Sequence, residues 1–156
     1  MPERYVSTRI KRLEDPPLLR GEARYLDDLR MPGMLTVGFL RSPHAHARIT
    51  DLDVRGALGS PGVVAVLTGE EVARLARPIR AELDQPGYKP SSWPALAKDK
   101  VRFVGEPVAA VAATDRYRAE DAIEQISVTY DPLPAATDVE LAMEPGAPRL
   151  HEELPD

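Results

Sequence analysis

The chain of 156 residues contains no cysteine. That excludes disulfides, cysteine-ligated iron–sulfur clusters and thiol nucleophiles from this polypeptide, while leaving its compartment open. Aromatic residues are scarce at 5%, with one tryptophan and two phenylalanines. No apolar run approaches the length of a membrane span, and the opening MPERYVSTRIKRLEDPP has no signal-peptide-like apolar stretch, which favours a cytoplasmic address. There is no excess of positive charge either. The net charge is −5 and the basic residues are scattered, so neither a nucleic-acid partner nor an anionic-membrane surface is expected.

Proline, in contrast, is abundant. The 16 prolines recur between apolar runs, at about twice the usual share of about 5%, and imply many short elements joined by stiffened turns. Hydrophobic content of 43% and charged content of 29% are those of a folded chain with enough length for one domain and a real core.

Val108–Ala113 is a continuous small-apolar run, expected as a strand covered on both faces. Its alanines imply a close-packed neighbour, so a leucine at Ala110 is expected to damage the fold. Ala119, Ala122, Ile123 and Ile126 follow at helical spacing, with Thr114 or Asp115 as the cap. Ser127–Tyr130 alternates, which completes a strand–helix–strand unit.

Upstream, Leu35–Arg41 alternates with Leu35, Val37 and Phe39 on the face expected to be buried. Arg48–Val54 alternates again, which suggests an antiparallel pair with it. The glycines of GALGSPG (Gly56, Gly59, Gly62) precede a strand, Val63–Leu67, rather than a helix. They therefore read as a turn and not a phosphate loop. Thr68-Gly69-Glu70-Glu71 has capping-box spacing, ahead of a short helix whose buried side is expected to be Val72, Leu75 and Ala76. Residues 1–20 are expected as an extended arm lying on something larger. Residues 77–99, with four prolines and the lone Trp93, read as a long excursion of the kind that serves a function or a partner. Residues 141–156 have a linker-like composition, as though more chain followed.

The candidate chemistry is sparse. His44 and His46 form an H-x-H that would share a face on a strand, with His151, Asp51 or Asp53 as a possible third ligand, yet no defined spacing supports a metal. The simpler reading places both histidines on an exposed turn. The adjacent carboxylates Asp27-Asp28, Glu70-Glu71 and Glu152-Glu153 have no reason to converge as an acid–base pair. Glu106, between a glycine and a proline beside a buried strand, is the more interesting acid, although Gly-Glu-Pro also simply makes a bend. Ser42 has no recognisable base and no nucleophile elbow. Tyr25 and Tyr130 read as core-edge aromatics with wet hydroxyls. No residue is assigned as catalytic, cofactor-binding or metal-ligating.

Four stretches in order resemble one family: LEDPPLLRGEARYLDDLRMPGML, FLRSPHAHARI, PGVVAVLTGEEV and ALAKDKVRFVGEPVAAVAATDRYRAEDAIEQISVTYDPLPAATDVELAM. They are similar to the start of the molybdenum hydroxylase large subunit, the family of xanthine dehydrogenase, aldehyde oxidase and the aerobic carbon monoxide dehydrogenases. The RSPHAHARI block is most like the carbon-monoxide-dehydrogenase type. The resemblance implies the N-terminal α/β hammerhead domain, an α+β fold of mixed sheet and few short helices, here residues 21–140. It also implies a parent complex with molybdopterin, iron–sulfur clusters and FAD, whose binding motifs match no position of this chain. The expected partners are the molybdopterin-binding domain or subunit, with iron–sulfur and flavin subunits beyond it. The isolated chain is expected to bind no molybdenum and to have no oxidoreductase activity, so it is an enzyme only as part of such an assembly. A free-standing binding or assembly module that reuses the fold is the alternative.

Overall fold

The computed structural model describes residues 10–80, 83, 85–152 and 154. Met1–Met34 and Leu35–Asp156 form separate compact units. In the first, α1 (Asp15–Leu19) is a single turn with proline in its opening positions, where a missing N–H costs nothing. The described part of the expected extended arm therefore carries a helical turn. Tyr25, expected at a core edge, is exposed here. It precedes a 3-10 turn at Leu26–Asp28, where the Asp28 carboxylate accepts from the Tyr25 N–H at 2.9 Å.

The second unit contains the strands β1 (Thr36–Arg41), β2 (Ala47–Asp53) and β3 (Val63–Thr68), with the one-turn helix α2 (Arg55–Leu58) before β3. Helix α3 (Gly69–Leu75) and the short strands β4 (Ile79–Arg80), β5 (Ser92–Trp93) and β6 (Lys100–Val101) follow. Strand β7 (Pro107–Ala113), helix α4 (Arg116–Ile123) and strand β8 (Ser127–Pro132) come next, and a 3-10 turn at Leu141–Met143 lies in the tail. The strands form two three-stranded sheets, ordered β1-β7-β3 and β6-β2-β8, and a β4–β5 pair. All the described pairings are antiparallel. Small sheets with few short helices make this the expected α+β class.

Strand β7 is central, and its two faces serve two cores. Ala109 and Val111 pack with Ala57, Val66, Ala122 and Ile126, whereas Val108 packs with Ala47, Ala97 and Val101. Leu52 and Val128, which are partners across β2 and β8, touch both clusters and join them. The run is thus closely covered on its Ala109–Val111 face, while on the other face Val108 is buried in the second core and Ala110 lies between the exposed Phe39 and Leu67.

Five local readings change. Strands β1 and β2 do not pair with each other, because β1 joins β7 while β2 joins β6 and β8. Likewise β7 and β8, on either side of α4, belong to different sheets. The inward face of β1 is Thr36, Gly38 and Leu40, while Val37 and Phe39 are 52% and 45% exposed. The reason is α4: a Cβ at Gly38 would stand 2.6 Å from the Ile123 Cδ1 and 3.5 Å from the Ala119 Cβ, so the strand's only glycine is what lets the helix approach. In α3, Val72 is half-buried but Leu75 and Ala76 are exposed, since the helix turns outward after its cap. The cap itself is as read, with the Glu71 N–H donating to the Thr68 Oγ1 and the Thr68 N–H to the Glu71 carboxylate. GALGSPG is not wholly turn either, because its first residues form α2.

Candidate functional site

The turn from Arg102 to Glu106 positions the one acid that the sequence makes interesting. Glu106 is 5% exposed. One carboxylate oxygen accepts the Arg102 N–H, which braces the turn, and the main chain of Gly105-Glu106 is tied to Ser42 by two backbone hydrogen bonds, at 2.8 and 2.9 Å. The other carboxylate oxygen has no described hydrogen-bond partner and is not sealed off. Glu106 lines a cavity of about 470 Å3, whose walls include Ile79, Trp93, Phe103, Leu150 and His151. The C-terminal segment supplies one wall and is held there by the Arg102 guanidinium, whose Nε donates to the Leu150 carbonyl at 3.1 Å. Glu106 therefore makes the bend and also presents a half-satisfied carboxylate to an apolar space. The lone tryptophan pointed to this region, but nothing local in the sequence announced that Phe103 and the tail would close around it.

His44 and His46 lie in the bends before β2 rather than on the strand. The exposed-turn reading also fails for His46, which is 6% exposed with Nδ1 2.6 Å from the Pro134 carbonyl and its Nε2 buried without a partner. His44 packs its ring against Tyr130 at 4.8 Å. Burial raises the Tyr130 phenol above its usual pKa, and a hydrogen bond with Ser42 partly offsets this. The Ser42 hydroxyl also bonds the main chain of His44 on both sides, at 3.0 Å each, as a turn brace.

The other acids are engaged one by one. Glu70 pairs with Arg74 one helical turn on, and Glu71 caps α3. The Glu152 carboxyl is held below its usual pKa by the Lys100 ammonium. The two groups are 3.3 Å apart as an ion pair without hydrogen-bond alignment, and Lys100 is itself buried. Glu153 lies outside the described residues. Asp51 is exposed on β2, and Asp53 is gripped by Arg55 through two side-chain hydrogen bonds, at 2.6 and 2.9 Å. Among the described residues, no group of three or more His, Cys, Asp or Glu could hold a metal ion.

Asp53 offers a pH test. The Arg55 hydrogen bonds and charge lower its pKa to about 2 from 3.8. A carboxylate lowered in the folded state contributes its stability above the unfolded pKa and loses it as pH falls through the folded one. The contribution of this exposed pair should therefore disappear between about pH 4 and pH 2. An NMR titration is expected to give Asp53 a midpoint near 2, and Arg55→Ala should return it to the ordinary range.

With this geometry in place, comparison with known proteins is specific. The family described as "Aldehyde oxidase and xanthine dehydrogenase, a/b hammerhead domain" matches residues 20–134. The carbon monoxide dehydrogenase large chain of Afipia carboxidovorans is 44% identical over 94% of this chain and 17% of its own length. A subunit of a named complex, the gamma subunit of the 6-hydroxypseudooxynicotine dehydrogenase complex of Paenarthrobacter nicotinovorans, is 42% identical over 89% of this chain and 18% of itself. Among solved structures, quinoline 2-oxidoreductase from Pseudomonas putida 86 superposes with a TM-score of 0.88 and 46% identity, over 94% of this chain and 18% of that one. The chain belongs to the aldehyde oxidase and xanthine dehydrogenase hammerhead family. It spans less than a fifth of the length of these relatives. No helix among the described residues is long and apolar enough to cross a membrane.

Proposed function

We propose that this chain is the scaffolding hammerhead of a molybdopterin-dependent hydroxylase or dehydrogenase, supporting the cofactor-binding part of the large subunit without an active site of its own. The observation that carries this reading is coverage: similarity runs along 94% of the chain yet engages only 17% of the carbon monoxide dehydrogenase large chain. The bulk of such an enzyme therefore lies in polypeptide other than this segment. The first sheet supports a docking role, because Phe39, Ala110 and Leu67 stand in one row across β1, β7 and β3 on a face that leaves Phe39 and Leu67 exposed. Such a row offers apolar surface that a partner could bury.

In this reading the two-electron chemistry belongs to other polypeptide of the assembly. Molybdopterin, iron–sulfur clusters and FAD would reside there, and the chemistry would be hydroxylation of a carbon centre with oxygen from water. The test is the native mass and metal content of this protein purified gently from its own source. A large assembly containing molybdenum and iron is expected. A metal-free species near 17.1 kDa, or a small multiple of it, would overturn the reading in favour of a free-standing module.

A further inference from the structure

The cavity beside Glu106 carries a more specific conclusion, which rests on the docking role proposed above. A carboxylate has acceptor capacity for several donors, and burying it with only part of that capacity filled is costly. Glu106 is 5% exposed and receives one described hydrogen bond, from the Arg102 N–H. The Arg102 guanidinium, which lines the same cavity, directs Nε to the Leu150 carbonyl at 3.1 Å and Nη1 to the Lys100 carbonyl at 3.4 Å, so these N–H groups are not spent on Glu106. Glu106 lines a space of about 470 Å3 that is walled largely by apolar groups. Trp93 and Phe103, both in its lining, are 57% and 54% exposed and offer aromatic surface to an apolar body.

We propose that this cavity is a socket for a cationic side chain of arginine type, delivered by another stretch of polypeptide in the assembly. The stem would lie against Trp93 and Phe103, and the N–H head would complete the hydrogen bonding of Glu106. The unfilled acceptor capacity of Glu106 selects an N–H donor head, and a carboxylate in its place would meet the Glu106 carboxylate with no proton to donate. Size selects the body, because the space exceeds what one water or a bare ammonium ion would fill. The relatives supply the source, being large chains of which this segment forms 17–18%.

Benzamidine is a suitable probe: it has a planar apolar body and a cationic N–H head. Trp93, the only tryptophan, reports its arrival by fluorescence. Benzamidine is expected to change the emission saturably, and benzoate, of the same shape and opposite charge, is expected not to. Glu106→Gln keeps an oxygen for the Arg102 N–H but removes the charge, so it should retain the melting temperature while weakening benzamidine about tenfold or more. Equal responses to benzamidine and benzoate, no response to either, or undiminished binding by a folded Glu106→Gln variant would each overturn the socket. If that variant does not fold, the benzamidine–benzoate contrast in the parent chain decides alone. A molybdenum-containing assembly whose isolated hammerhead ignores benzamidine would keep the docking role and lose the socket. A chain that binds benzamidine but assembles with nothing would do the reverse.

Discussion

Ala109→Leu is expected to lower the stability of this domain by about 1–3 kcal/mol, the usual cost of forcing extra methylenes into a packed layer. For a chain of this size each kcal/mol lowers Tm by about 3 °C. Ala109 is fully buried on the face of β7 that meets Ala57, Val66, Ala122 and Ile126. On that side the sheet and helices α2 and α4 approach through small residues, so an isobutyl group has no space without moving α4. Ala110, one residue on, is an instructive control. It is also buried, at 6% exposure, but by its neighbours Phe39 and Leu67 rather than by a covering layer. A leucine there can lean outward, so Ala110→Leu should cost distinctly less than Ala109→Leu. Thermal melts of the two variants decide this. Equal losses would mean that the open face of β7 is as tightly covered as the helix face, and an unchanged Ala109→Leu would mean that the small-residue layer is loose.

What could be read from the sequence divides along the range of the interactions involved. The Thr68–Glu71 cap, the alanine strand and the stripe of α4 were legible because each depends on residues within a few positions of one another. The inward face of β1 was not, because alternation alone cannot tell which side is covered. The covering helix arrives some 80 positions later, and glycine, not the larger Val37 or Phe39, turned out to face it. Strand pairing failed for a similar reason: β1 and β2 are neighbours in sequence, but their partners β7 and β8 come from the far end. In the site region, Glu106 and Trp93 stood out by type and setting, yet the cavity that unites them depends on a tail segment and a turn whose meeting no local pattern encodes. His46 shows the limit most plainly. Its burial depends on the carbonyl of Pro134, 88 residues away. The family itself was legible because four blocks kept their order, and that is a property of the whole chain rather than of any one contact.

Gly69→Ala tests the structure against a local rule of opposite sign. Gly69 opens α3, and within a helix alanine is ordinarily favoured over glycine by about 1 kcal/mol. From propensity alone the substitution should be neutral or stabilising. The packing says otherwise. A Cβ at Gly69 would stand 2.2 Å from the Ala97 carbonyl oxygen, 2.6 Å from its carbon and 2.9 Å from the Lys98 Cα. These are backbone atoms, so no rotamer change relieves the contact. The segment they belong to cannot simply retreat: the Ala97 N–H donates to the Pro107 carbonyl at 2.7 Å, and the Asp99 carbonyl accepts from the Ile49 N–H at 2.9 Å. Leu96 and Ala97 are buried beside these anchors. Relief must come from shifting α3 and its cap, or from breaking hydrogen bonds to both sheets, so the expected loss is about 3 kcal/mol, at the upper end of overpacking costs. Gly59→Ala is the matched control, since a Cβ there meets nothing closer than 3.6 Å and should leave Tm nearly unchanged or slightly raised. Chemical denaturation of both variants separates the two accounts. A large drop confined to Gly69→Ala would establish that this glycine is required by the close approach of Ala97, whereas stabilisation of both variants would mean that α3 stands clear of the segment that feeds β6.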